Sequence, residues 1–140
     1  LIKILFMDDY LAHDNALQEI VDNFPDDKQW LVTGCTHDKG DNVWYDYHTP
    51  YYSPDIHTGN NTIGSPSVLT MRRGSHLYFD EKLSWLLDCD LYRRLHDFYG
   101  PPAILDTQNV VIGIHNGQTS NVMPSDAKLR EYNYLMKKYA

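Results

Sequence analysis

Clusters of basic residues are absent from this 140-residue chain, which has 12 Lys and Arg against 19 Asp and Glu and a net charge of −7. Because binding to a nucleic-acid backbone needs clustered positive charge, we expect no nucleic-acid partner. The only two cysteines, Cys35 and Cys89, have no metal-ligand spacing and form no disulfide framework, which indicates a reducing compartment. No apolar run approaches the roughly 20 residues of a membrane span. We therefore expect a cytoplasmic protein, either free or peripheral to the inner face of a membrane.

An initial methionine is also lacking, and the chain opens at Leu1 inside a strand-like run. Natural chains seldom begin inside a core element, so we expect that a larger domain extends N-terminal to Leu1. With 42% hydrophobic and 22% charged residues, the composition is that of a globular protein. The length suits one domain or part of one.

Alternating strand-like and helical patterns predict an α/β fold. Strands are predicted for four apolar or extended runs, at 1–7 and 30–36 (both buried), 65–72 and 110–115. Helices are predicted for three periodic segments, at 14–22, about 88–99, and from Ser125 or Asp126 to Tyr139. Their expected apolar faces are Leu17, Ile20 and Val21; Leu91, Leu95 and Phe98; and Leu129, Tyr132 and Met136. Residues 37–59 show no regular period and are predicted to form a long loop.

Two adjacent carboxylates, Asp8 and Asp9, end the first apolar run. The polar ends of strands are where open α/β sheets bind their ligands. Neighbouring carboxylates repel one another unless a cation or hydrogen bonds relieve them. Since Mg²⁺ is commonly held by one or two carboxylates together with substrate phosphates, the pair indicates either such a site or a solvated turn.

A second acidic cluster, Asp88-Cys89-Asp90, lies at the predicted start of a helix. Residues two apart on a helix do not share a face, so we expect the two carboxylates to have different roles. Asp90 has Arg93 and Arg94 three and four residues later, which predicts a structural ion pair. Asp88 has no such partner, and the helix dipole favours its ionised form. It is therefore interpreted either as a proton acceptor or as a helix N-cap.

Taken in order, these segments resemble the C-terminal part of family 2 glycosyltransferases with the GT-A fold. The matching segments cover about the whole chain: KILFMDD (3–9), IGSPS (63–67), FDEKL (79–83), WLLDCDLYRRL (85–95) and IHNGQTS (114–120). The resemblance implies a GT-A-like mixed sheet flanked by helices, with residues 1–140 as the C-terminal portion of a single catalytic domain. The N-terminal half of that domain, which holds the nucleotide base and ribose, has no counterpart here.

The resemblance also implies a function in polysaccharide biosynthesis: inverting hexosyl transfer from a nucleotide-diphosphate-sugar donor to a hydroxyl of a carbohydrate or lipid-linked acceptor. Asp88 matches the general base. Asp8, Asp9 and His115 match the positions that hold Mg²⁺ or Mn²⁺, and together with Gln118 they would contact the donor diphosphate. Gly64-Ser65-Pro66 would lie near the acceptor channel, and the Tyr- and His-rich segment 37–59 would select the acceptor. Peripheral membrane or oligomeric association is compatible with this class of enzyme.

Two other functions stay open. A glycoside hydrolase would also use two carboxylates, but it would release sugar to water without a nucleotide or metal. A non-catalytic fragment would bind sugar or a partner protein without turnover. Six further histidines lack the spacing of metal ligands and are predicted to be surface or hydrogen-bonded residues: His13, His37, His48, His57, His76 and His96.

Overall fold

The computed structural model describes residues 1–140 and has an α/β architecture. Six strands form one sheet: β1 (Ile2–Lys3), β2 (Tyr10–Leu11), β3 (Trp30–Asp38), β4 (Tyr45–His48), β5 (Leu69–Met71) and β6 (Ala103–Gly113). Four α-helices accompany it: α1 (Ala16–Asp22), α2 (Leu87–Tyr99), α3 (Thr119–Val122) and α4 (Ser125–Lys138). None of these helices combines the length and the apolar character needed to cross a bilayer.

Strand β3 is the centre of the sheet. Strand β6 runs parallel to it from the Leu31–Ala103 pair to the Asp38–Gly113 pair. On its other edge, β5 pairs with the first half of β3 and β4 pairs with the second half, both antiparallel. Strands β1 and β2 complete the sheet by pairing with β5 and β6. The predicted α/β class with a mixed sheet is confirmed, whereas the GT-A assignment within that class stays a prediction.

The strand predicted at 30–36 is confirmed, because all of β3 except His37 is buried. The strand predicted at 110–115 is the buried end of the longer β6. The predicted loop 37–59 is only partly irregular, since it contains β4 and a 3₁₀ turn at Ile56–Thr58. These elements place the main core between the sheet and α2, around Trp30 stacked on Tyr92.

The prediction of a buried strand over 1–7 is wrong. Only Ile2–Lys3 forms a strand, and it pairs with β5 on one side alone. Leu1, Leu5, Phe6 and Met7 are exposed, with Met7 at 98%. An edge strand leaves one side uncovered, so apolar composition by itself did not indicate burial.

The predicted helix faces are correct only in part. Leu91 and Leu95 of α2 are buried, whereas Phe98 is 74% exposed. Helix α1 buries Ala16 and Ile20 while Leu17 and Val21 face outward, and its N-cap is Asn15. Helix α4 buries Glu131 and Leu135 in place of Leu129 and Tyr132. Its inner stripe includes a carboxylate, which a search for apolar periodicity does not detect.

The hydrogen bonds of Glu131 explain why α4 turns this carboxylate inward. Its Oε1 accepts a hydrogen bond from the backbone N–H of Ser84 at 2.7 Å, and its Oε2 accepts from Trp85 and Leu86 at 2.9 Å each. The N-cap of α2, Leu86, offers no capping side chain of its own. Glu131 therefore satisfies the N–H groups of the N-cap and of the two residues before it, and so anchors the chain where α2 begins.

The other anchor of α2 is Asp90, which is fully buried. Its carboxylate lies 2.8 Å from Arg94, 2.8 Å from Lys138, and accepts a 2.6 Å hydrogen bond from the Tyr139 hydroxyl. The predicted ion pair of Asp90 with an arginine four residues later is confirmed. Lys138 and Tyr139 add the end of α4 to the same network.

Replacing Glu131 by Gln should lower the free energy of unfolding by about 2–4 kcal/mol, because an amide nitrogen would face backbone N–H groups that need an acceptor. Asp126→Asn is the matched control on the same helix, where an exposed pair with Arg130 should contribute less than about 0.5 kcal/mol. Urea unfolding monitored by circular dichroism measures both variants. Equal losses in the two would contradict this role of Glu131.

Candidate functional site

A cleft of about 400 Å³, here called the main cleft, lies beside the carboxyl end of β6 and the start of α2. It is formed by four stretches of chain that are distant in sequence. The lining residues are Phe6, Asp8, Asp9, Gly59, Asn61, Gly64, Ser65, Pro66, Ser84 to Cys89, Ile112, and Gln118 to Ser120. Three carboxylates and no basic side chain are among them.

Asp9 ties three of these stretches together. Its Oδ1 accepts a 3.0 Å hydrogen bond from the backbone N–H of Gly113, and its Oδ2 accepts from the hydroxyls of Ser65 and Ser67. Gly113 is required here because a Cβ at this position would overlap the carbonyl oxygen of Asp8. Both oxygens of Asp9 are thus engaged by the protein.

Asp8 points the other way and pairs with His115. The Asp8 Oδ2 and His115 Nε2 atoms are 2.8 Å apart, and both side chains are about half exposed. The backbone N–H of Gly117 donates to Nδ1 of the same ring at 3.1 Å. In the neutral ring this places the proton on Nε2, which donates to Asp8. The Oδ1 atom of Asp8 has no protein partner.

Gln118 holds the loop that carries His115. Its side-chain amide donates to the carbonyl of Gly113 at 2.7 Å, and its Oε1 accepts from the His115 N–H at 3.3 Å. Gln118 also lines the main cleft. Its hydrogen bonds identify a residue that shapes the loop, whatever else it contacts.

Asp88 lies in the first turn of α2 and is half-buried in the wall of the main cleft. Its Oδ2 accepts a 2.9 Å hydrogen bond from the Asn61 amide, and its Oδ1 accepts from the Cys89 N–H at 2.8 Å. Burial raises the pKa of this carboxyl to about 6, although both hydrogen bonds lower it. The expected preference for ionisation at the helix start is therefore outweighed by burial, and the group still ionises near neutral pH.

The structure brings together most residues selected from the sequence. Asp8, Asp9, Asp88 and Gln118 line one cleft, and His115 lies beside it through its bond to Asp8. The roles assigned to these residues stay predictions.

Two further residues were missed by the sequence analysis. Asn61 donates a hydrogen bond that orients Asp88. No sequence signal indicated Asn61, because only the fold brings it next to α2. Lys3 bonds the carbonyl of Ser67 near Asp9, and burial lowers its pKa to about 8 while Asp9 partly offsets this shift. A lysine within an apolar run was the one available signal for Lys3.

A divalent cation fits this site in a limited way. No group of three or more His, Cys, Asp or Glu side chains converges closely enough to hold a metal ion. Asp8 offers one free oxygen, whereas both ring nitrogens of His115 are engaged by Gly117 and Asp8, and Asp9 is occupied by protein donors. A cation such as Mg²⁺ or Mn²⁺ could be held by this single oxygen only together with a diphosphate and water that supply the other ligands.

Comparison with known proteins identifies no relative. Neither the family models, nor the curated proteins, nor the solved structures contain a match to this chain. The functional assignment therefore depends on the site itself and on the resemblance of its motifs.

Asp88→Asn should remove the dependence of stability on pH that Asp88 causes. The folded-state pKa of about 6 lies above the usual value of 3.8, so the folded state binds more protons between these values and wild-type stability falls as pH rises through that window. Between pH 3.5 and pH 7.5 the free energy of unfolding of the variant should rise by about 1–3 kcal/mol relative to the wild type, in addition to a constant cost from the amide nitrogen that would face the Asn61 or Cys89 donor. Urea unfolding at several pH values measures this difference.

Two aspartates on the same helix provide controls. Asp97→Asn removes an exposed carboxylate paired with Arg93 and should change stability little at any pH. Asp90→Asn breaks a buried charge network and should cost about 3–5 kcal/mol. A loss of stability in Asp88→Asn similar to that in Asp90→Asn would show that Asp88 is a structural anchor.

Proposed function

We propose that this protein transfers a sugar, with inversion, from a nucleotide-diphosphate-sugar donor to an acceptor hydroxyl. The observation that carries the proposal is the convergence of Asp8, Asp9 and Asp88 on one cleft, although they are up to 80 residues apart in sequence. The order of the sequence motifs, which resembles that of family 2 glycosyltransferases, supports the same proposal. The cleft is large enough for a sugar and a diphosphate together.

Asp88 would be the general base. Its pKa of about 6 leaves it mostly ionised at pH 7.5, yet close enough to the working pH to accept a proton efficiently. Asn61 and the Cys89 N–H hold the carboxylate in one orientation. As the acceptor oxygen bonds to the anomeric carbon of the donor, the bond to the diphosphate breaks and the hydroxyl proton passes to Asp88.

The part of the main cleft lined by Asp8 would receive the diphosphate. Because no Lys or Arg lines it and three carboxylates do, an anionic donor would be repelled unless a cation accompanies it. Mg²⁺ or Mn²⁺ bound by Asp8, with His115 adjacent, would supply charge neutralisation for the leaving diphosphate. Asp9 and Gln118 would keep Asp8 and the His115 loop in place.

Glycoside hydrolysis is the second candidate, because a carboxyl with a raised pKa is also what a general acid requires. In that reaction Asp88 would protonate the leaving oxygen and Asp8 would be the second carboxylate. The two reactions differ in the active form of Asp88: a base acts when ionised and an acid acts when protonated.

The pH dependence of turnover separates these candidates. With a UDP-sugar panel, a simple glycoside acceptor and Mn²⁺, kcat should rise with pH through about 6 and level above it, because Asp88 must be ionised. Asp88→Asn should lower kcat by about 10²-fold or more with little change in donor affinity. Asp97→Asn, an exposed change on the same helix, should retain wild-type kinetics.

Two results would overturn the transfer reaction, and a third would overturn the role of Asp88 in it. Release of nitrophenol from aryl glycosides without nucleotide or metal, with activity falling above pH 6, would establish hydrolysis. Saturable donor binding without any transfer or hydrolysis would identify a non-catalytic domain. Wild-type turnover in Asp88→Asn would exclude Asp88 as the base.

Binding of the donor diphosphate should depend strictly on a divalent cation. In calorimetric titrations UDP or inorganic pyrophosphate should bind in the presence of Mn²⁺ and lose detectable binding in EDTA, since the main cleft has no cationic side chain. Asp8→Asn should weaken the Mn²⁺-dependent affinity about tenfold or more. Asp14→Asn removes one negative charge outside the main cleft and should leave the affinity unchanged. If Asp8→Asn also left the affinity unchanged, the assignment of Asp8 as a cation ligand would be wrong.

A further inference from the structure

A second cavity, here called the side cavity, adjoins the main cleft. Its volume is about 460 Å³, and it is lined by residues of β3, β4 and β6 and of the segment 61–65. The two spaces share the lining residues Asn61, Gly64, Ser65 and Ile112. Asn61 is also the residue that donates to Asp88. A molecule in the side cavity would therefore reach the carboxylate of Asp88 past Asn61.

Two histidines in the side cavity have their tautomers fixed by the backbone. Nδ1 of His37 lies 2.8 Å from the carbonyl oxygen of Asp46, and Nε2 of His48 lies 2.8 Å from the carbonyl oxygen of Thr62. A carbonyl only accepts, so each of these nitrogens carries the proton. The other nitrogen of each ring has no protein partner and is free to accept a hydrogen bond.

Two more groups complete the lining. The carboxylate of Asp46 is exposed and has no hydrogen-bond partner in the protein. The Tyr47 hydroxyl donates to Asp106 at 2.5 Å and lies beside Gly34, and neither of these residues lines the side cavity. The residues that line the side cavity thus carry three groups with unused acceptor positions, namely the two imidazoles and the carboxylate of Asp46.

We infer that the side cavity is a subsite for a neutral, hydroxyl-rich sugar unit of the acceptor, an inference that rests on the proposed sugar transfer. Sugar hydroxyls are donors that match this set of acceptors, and Tyr47 adds an aromatic ring. A uronic acid or a phosphate would be excluded, because it brings negative charge to Asp46 and to a protein of net charge −7. The acceptor would therefore be at least two units long, with one unit beside Asp88 and another in the side cavity.

Histidine ring NMR tests this subsite without any turnover. The probes are cellobiose, maltose and chitobiose, with glucuronic acid as the anionic counterpart, added to the ¹⁵N-labelled chain without nucleotide. Nε2 of His37 and Nδ1 of His48 should shift with saturable dependence on at least one neutral disaccharide, whereas His13 should not move. Glucuronic acid should shift neither ring.

Two substitutions in the side cavity and one control sharpen the test. Asp46→Asn and His37→Gln should each weaken disaccharide binding by about 3- to 10-fold, since each alters one acceptor. His13→Gln, which lies against Glu19 on α1, should bind as the wild type does. Unchanged amide spectra away from the side cavity establish that the variants remain folded.

The outcomes distinguish the subsite from the proposed reaction. Shifts at His37 and His48 without Mn²⁺-dependent binding of UDP would retain the sugar subsite and reject the transferase. If UDP bound but no disaccharide shifted the signals of either histidine ring, the sugar subsite would be rejected and the proposed transfer reaction would be retained. Absence of both would overturn both. Equal binding of glucuronic acid and the neutral sugars would overturn the stated selectivity.

Discussion

The carboxylate of Asp9 is the constraint on which the geometry of the main cleft depends. It accepts from the Gly113 N–H and from the hydroxyls of Ser65 and Ser67, so one side chain joins the end of β6, the 3₁₀ turn Pro66–Val68 that precedes β5, and its own segment. The close backbone approach at Gly113 is possible only without a side chain. With Asp9 engaged in this way, its neighbour Asp8 pairs with His115 through one oxygen and keeps the other oxygen without a protein partner. Two adjacent carboxylates thus relieve their repulsion by facing different partners.

The carboxylates at helix α2 also differ in role: two of them anchor the helix, and the third lines the main cleft. Glu131 satisfies the N–H groups ahead of the helix, and Asp90 is surrounded by Arg94, Lys138 and Tyr139. Asp88, two residues before Asp90, is paired with no cation and keeps a raised pKa. The neighbouring interactions hold in place a carboxyl whose ionised form is destabilised by burial. The stability of this region is therefore concentrated in residues that do not face the cleft.

Sequence reasoning predicted what depends on local chemistry. It found the central β3, the ion pair of Asp90 and the carboxylates that meet in the cleft. It was wrong about the burial of 1–7, because an edge strand was not distinguishable from a central one by composition. It also misplaced the inner face of α4, because Glu131 is buried for its bonds to another element. Asn61 could not be found at all, since its contact with Asp88 exists only after the loop before β5 folds against α2.

The histidines of the two adjoining spaces differ in how many ring nitrogens are engaged: both in His115, and one each in His37 and His48. At His115 the Gly117 N–H occupies Nδ1 and directs the Nε2 proton to Asp8, so that side is a carboxylate surface suited to a cation. At His37 and His48 the backbone carbonyls take the protons and leave unprotonated nitrogens, which suits neutral hydroxyl donors. Backbone groups set all three tautomers, so this difference is built into the fold. The two adjoining spaces therefore differ in the groups they present because of backbone contacts, and side-chain composition alone would not have predicted this difference.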